Sequence, residues 1–186
     1  MENKSKMKIV LTEMIKETIK KWDKQDIYAV SLYVYDDYDN PYDPVVVLGY
    51  NTIERYKSQI KRASGESEAK WNYAFWLQNK ELEFGQGETK ELVKEWIEEN
   101  GYTYYDRHRE FDEESYEGLT EKFVSVLIEI VKELHHSGFI KEQFDKEIPV
   151  LIHELEYYEL ILEQNIEANS SELIEESFRK FCLGED

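Results

Sequence analysis

Residues 27–56 read IYAVSLYVYDDYDNPYDPVVVLGYNTIERY, and the first two-thirds of that stretch decides the fold class. Ile27 to Tyr35 is rich in Tyr, Val, Ile and Leu, residues that pack well on a pleated surface, and predicts a strand. Tyr28, Val30, Leu32 and Val34 fall on one side and Ala29, Ser31, Tyr33 and Tyr35 on the other. Neither set is polar, so both faces should be covered. The turn-forming DDYDNPYD follows, with Asn40-Pro41 breaking the pairing and its aspartates expected to stay solvated. Val45 to Tyr50 then returns as a second strand, close enough in the chain to pair antiparallel.

Outward from this hairpin the pattern becomes helical. Asn51 with Glu54 has capping-box spacing, and Ile53, Tyr56 and Ile60 repeat behind it as far as a stop at Gly65. Residues 63–79, ASGESEAKWNYAFWLQN, suggest a second short helix capped by Ser67 and running to Gln78, its large rings serving the core. Upstream, Met7, Leu11, Met14, Ile15, Ile19 and Trp22 share one side of an amphipathic helix whose lysines face away. Such a basic helix can lie on a membrane, but the overall charge favours packing on the sheet.

Downstream, Glu81 to Phe84 suggests a short strand. Leu92, Val93, Trp96 and Ile97 mark a helix ending at Gly101, and residues 102–118 read as a connection with room for a short strand. Phe123 to Leu134 defines a long helix from Thr120. Leu151, Leu155, Tyr158, Leu162 and Ile166 favour a helix opening at Pro149, with a third strand over Val-Leu-Ile as the alternative. Ser170 or Ser171 should cap a final helix carrying Leu173, Ile174, Phe178 and Phe181. The expected architecture is a single α+β domain over residues 1–186, helix-rich, with a small antiparallel sheet.

Four blocks of the chain resemble a known family: the Asp36-Asp37-Tyr38-Asp39 turn, Leu48 to Thr52, Ala69 to Gln78, and Ile152-His153-Glu154-Leu155-Glu156-Tyr157-Tyr158. Together they look like the bacterial domain of unknown function 4303. The resemblance covers scattered blocks over most of the chain and brings no catalytic signature with it. Its small, acidic, bacterial character suggests comparison with immunity proteins of toxin systems.

The chain has 186 residues, enough to bury roughly 70% of the surface its unfolded form exposes. Its formal charge of -18 repels phosphate backbones and anionic lipid, so neither nucleic acid nor membrane is an expected partner. Half of that excess lies in residues 141–186, where thirteen acids face four bases. A basic protein is the partner such a surface would attract, with Glu172, Glu175 and Glu176 as candidate docking charges and Tyr33, Tyr35, Tyr38 and Tyr42 as candidate anchors. The single cysteine, Cys182, excludes an internal disulfide and a cysteine metal cluster. Lysines interrupt every apolar stretch near the N-terminus and no run approaches the length of a membrane span, so the cytoplasm is the expected compartment.

Enzymatic signatures are absent or incomplete. Gly85-x-Gly87 lacks the third glycine of a dinucleotide fingerprint, which falls on Lys90, and the P-loop spacing is missing. Asp36, Asp37, Asp39 and Asp43 crowd one bend, but an EF-hand counted from Asp37 would need Gly at Tyr42 and Glu at Leu48. The zinc-protease pattern starting at His153-Glu154 needs its second histidine at Tyr157. His108, His135 and His136 complete the histidines. In the hydrolase alternative, a helical His153 and Glu156 would share a face and join Asp36, Asp37 and Asp39 around a metal. The leading expectation is a non-enzymatic acidic binding protein without a cofactor, of the immunity-inhibitor kind.

Overall fold

The structure, a computed structural model, describes residues 5–23, 26–105 and 113–185. The predicted hairpin forms its centre. β1 (Ile27–Asp36) pairs antiparallel with β2 (Pro44–Thr52), which pairs antiparallel with the short β3 (Leu82–Phe84). β4 (Val150–His153) lies along the other side of β1 and runs parallel to it, giving the order β3-β2-β1-β4.

Helices cover both faces. α1 (Lys6–Ile19), α4 (Lys90–Glu99), α5 (Leu119–His136) and α6 (Phe139–Phe144) enclose one core with Val30, Leu32, Val34, Val46, Leu48, Phe84, Val150 and Ile152. α3 (Glu66–Trp71) and α8 (Glu176–Leu183) enclose a second core, in which Tyr28, Ala29 and Leu151 meet Trp71, Tyr73, Trp76 and Phe178. Side chains along a strand alternate between faces. Tyr28 and Ala29 nevertheless share one core, because the β1–β2 register shifts between Ile27 and Ala29. The α+β class and the covered sheet are as expected from the sequence. α1 buries Met7, Leu11, Ile15 and Ile19, and its Lys8 turns inward to bond Glu129 and Glu133 of α5 at 2.6 and 2.8 Å.

Several expectations are corrected. β2 runs through Asn51 to Thr52, and Asn51 is fully buried and donates to the Tyr28 hydroxyl, so the helix cap falls to the next residue. Thr52 caps α2 (Ile53–Gln59), its hydroxyl accepting from the Arg55 amide. Gly65 stands at the start of α3, and the expected run to Gln78 stops at Trp71. Asn72 ends it, because its side-chain oxygen takes the Ala74 amide and turns the chain into a 3-10 segment over Tyr73–Phe75.

Val150 is strand, and the helix expected from Pro149 begins only at Glu159, as α7 (Glu159–Asn169). All four β4 residues are buried, so their apolar run carries no period by which to tell strand from helix. The last helix starts at Glu176, not at a cap on Ser170 or Ser171. Of residues 102–118, numbers 106–112 lie outside the described residues, and so does His108. The described part holds a 3-10 segment over Glu113–Ser115 and no strand.

Candidate functional site

The four tyrosines proposed as anchors do not form one surface. Tyr42 is fully buried, donates to Ser115 Oγ at 2.6 Å and meets Tyr105 and Tyr116 edge-on. Tyr33 is half-buried and stacks between Tyr35 at 5.5 Å and Tyr73 at 4.9 Å. Tyr35 turns its hydroxyl towards Glu83 and Gln86, and burial pushes its pKa up to about 12. Only Tyr38, at 74% exposure, stands well clear of the surface.

Of the residues of the hydrolase alternative, the structure brings Asp36 and Glu156 to one groove and keeps His153 apart from them in the core. His153 lies in β4, completely buried. A backbone carbonyl can only accept, so the 2.9 Å contact to the Glu154 oxygen places the ring proton on Nδ1. Nε2 then accepts the Ser31 hydroxyl at 2.8 Å. Both nitrogens are occupied, the rings of Tyr73, Trp76 and Tyr157 pack around the imidazole, and burial lowers its pKa to about 4. Glu156 is exposed beyond the strand end. Asp37 and Asp39 sit on a 3-10 segment over the hairpin tip. Asp43, expected in solvent, is buried and accepts Asn40 Nδ2 and Tyr104 Oη, each at 2.8 Å, and pairs with Lys90 at 2.9 Å. It pins the hairpin to α4. Among the described residues no group of three or more His, Cys, Asp or Glu is placed to hold a metal ion.

This arrangement makes the Ser31–His153 pair part of the core packing. Ser31→Ala should lower stability by about 1–2 kcal/mol, because it leaves a buried ring nitrogen without a donor. An unchanged urea midpoint would contradict that role.

The C-terminal acids divide as well. Glu175 pairs with Lys70 at 2.5 Å, and Lys70 also lies over the Trp71 ring, so this carboxylate fastens α8 to α3. Glu172 and Glu176 are exposed.

What the residue patterns did not reveal is a groove at the C-terminal ends of the parallel pair β1 and β4. Val34, Asp36, Thr120, Glu154 and Leu155 line a cavity of ≈ 430 Å³. Strand alternation sends Asp36 and Glu154 to the same face, where the first turn of α5 closes one side. Burial, followed by the charges of Glu154, Asp39 and Asp43, raises the Asp36 carboxyl to a pKa of about 6. Burial and then Glu156 raise Glu154 as well.

A second hollow of ≈ 300 Å³ adjoins the first at Thr120 and Glu154 and runs between α5 and α7, with Val124, Ile128, Tyr158 and Leu160 on its walls and Glu121, Glu163 and Glu167 among its acids. Leu155, Tyr158 and Leu160 are 63%, 40% and 50% exposed. The only sequence signal was the block His153 to Tyr158 itself, where leucine and tyrosine alternate with glutamate beyond an apolar run.

No family model, no curated protein and no solved structure matches the chain. Among the described residues, no helix is long and apolar enough to cross a membrane.

Proposed function

We propose that this chain is a non-enzymatic acidic binding protein of the cytoplasm that takes up a basic protein partner, as an immunity-type inhibitor of a toxin does. One observation carries the reading. Three large apolar side chains stand exposed within the short segment Leu155 to Leu160, at the mouth of a groove edged by Glu121, Glu154, Glu156 and Glu163. Apolar side chains in an acidic rim supply an anchor and a steering field together. One block of the resemblance to the bacterial domain of unknown function 4303, Ile152 to Tyr158, overlaps this segment.

A photo-reactive residue placed at Leu155 in cells of the source organism tests the proposal against the same residue at Ile9, which is 50% exposed on α1. A basic protein crosslinked from position 155 and not from position 9 is the expected result. Recovery of the same proteins from both positions, or of none from 155, removes the reading. With that partner purified, association should slow as salt rises to physiological strength, with dissociation changing less. Changing Glu172, Glu175 and Glu176 to Gln should slow association too, while Leu155→Ser and Leu160→Ser should speed dissociation.

A further inference from the structure

We infer that the niche between Asp36 and Glu154 receives one arginine side chain of the basic partner, with Leu155 and Tyr158 holding apolar neighbours of that arginine. The inference rests on the binding reading above and names the group recognised. Asp36 is half-buried, yet among the described residues neither it nor Glu154 has an ion-pair partner, whereas nearby Asp43 has Lys90. The charges that face Asp36 most closely are Glu154, Asp39 and Asp43, all negative. From the flanking segments Glu121 on α5 and Glu156 beyond β4 add to them, and Lys122 is drawn off over the Tyr102 ring.

Two carboxylates that no described residue pairs, in a partly desolvated hollow, are an incomplete arrangement, because like charges that share a site disfavour each other's ionised form. A cation between them removes the conflict. Guanidinium suits the place better than ammonium: it is more weakly hydrated, and its fixed fork can donate to two carboxylates at once. The exposed Leu155 and the wall residues Val34 and Tyr158 cover its methylene stem and the residues beside it.

The probe is a blocked pentapeptide, Leu-Gly-Arg-Gly-Leu, titrated at low ionic strength and followed by amide chemical shifts. Lysine and the neutral isostere citrulline replace arginine in parallel peptides. The arginine peptide should shift amides around Asp36, Glu154 and Leu155, bind at least about tenfold tighter than the citrulline peptide, and lose about tenfold with Asp36→Asn. Glu98→Gln, exposed on α4 and outside the groove, should leave its affinity unchanged. Equal binding of arginine and citrulline peptides, an Asp36→Asn protein that binds as tightly, shifts confined to another surface, or a preference for lysine each overturns the inference. A basic protein crosslinked at Leu155 together with an indifferent Asp36→Asn would sink the arginine niche alone. Peptide binding without such a protein would sink the wider function and leave the niche standing.

Discussion

Asp36→Asn is expected to stabilise the protein by about 2 kcal/mol at pH 7.5, and to stabilise it little below about pH 4. The folded-state pKa of Asp36 is raised from 3.8 to about 6, first by burial and then by Glu154, Asp39 and Asp43. Between these two values the folded chain holds a proton that the unfolded chain has released. Stability therefore falls as pH rises through that window, and above it the ionised carboxylate opposes folding in full. Asparagine keeps the shape without the charge. Comparing the variant with the parent at each pH also isolates this effect from His153, whose lowered pKa works with the opposite sign and destabilises the fold towards acid. Urea midpoints at pH 4 and pH 7.5 read the difference directly. If the two proteins unfold together at both pH values, Asp36 is not held in the fold against its own preference. A residue that lowers stability at neutral pH while lining an open groove is where a trade between stability and function is expected.

Asn165→Ala is expected to lower stability by about 3–4 kcal/mol and to expose the amide of Ile152 to exchange. β4 is an edge strand, and its outward backbone groups need partners. α7 provides them with side chains. Asn169 accepts the Val150 amide at 2.6 Å and donates to the Val150 carbonyl at 2.9 Å, while Asn165 accepts the Ile152 amide at 2.8 Å and donates to its carbonyl at 2.7 Å. The match is geometric: one four-residue step along a helix advances about 6 Å, close to the two-residue repeat of a strand, about 6.6 Å. Two asparagines four apart can therefore serve as a neighbouring strand. Gln164 also donates to the Ile152 carbonyl, so alanine at 165 leaves the amide as the orphan group, fully buried. Asn165→Asp keeps the acceptor but loses both donors and buries a charge, so its loss should exceed that of alanine at neutral pH and shrink in acid. Hydrogen exchange provides the local check. Protection at Ile152 that survives Asn165→Ala would mean that α7 does not pair the edge.

The hairpin and the amphipathic helices were legible because their signals are local. β1 and β2 are joined by one short turn, and the apolar spacing of α1, α4 and α5 lies within each segment, where periodicity reads one face against the other. The same locality let residue spacing alone reject the EF-hand, the zinc-protease motif and the phosphate loops. The groove was out of reach for the converse reason. It exists because Val30 to Tyr33 pairs with Val150 to His153 across most of the chain, and parallel pairing of distant segments leaves no mark in either.

Val150 to His153 is buried on both faces and so reads as helix or strand alike. The asparagines that settle its edge look, in sequence, like poor helix residues in an apolar setting. The sequence by itself determined the α+β class, the central hairpin and the negative field. Only tertiary structure decided that His153 would be sealed in the core while Asp36 and Glu154 met at the surface, because side-chain environment depends on which strand lies beside which.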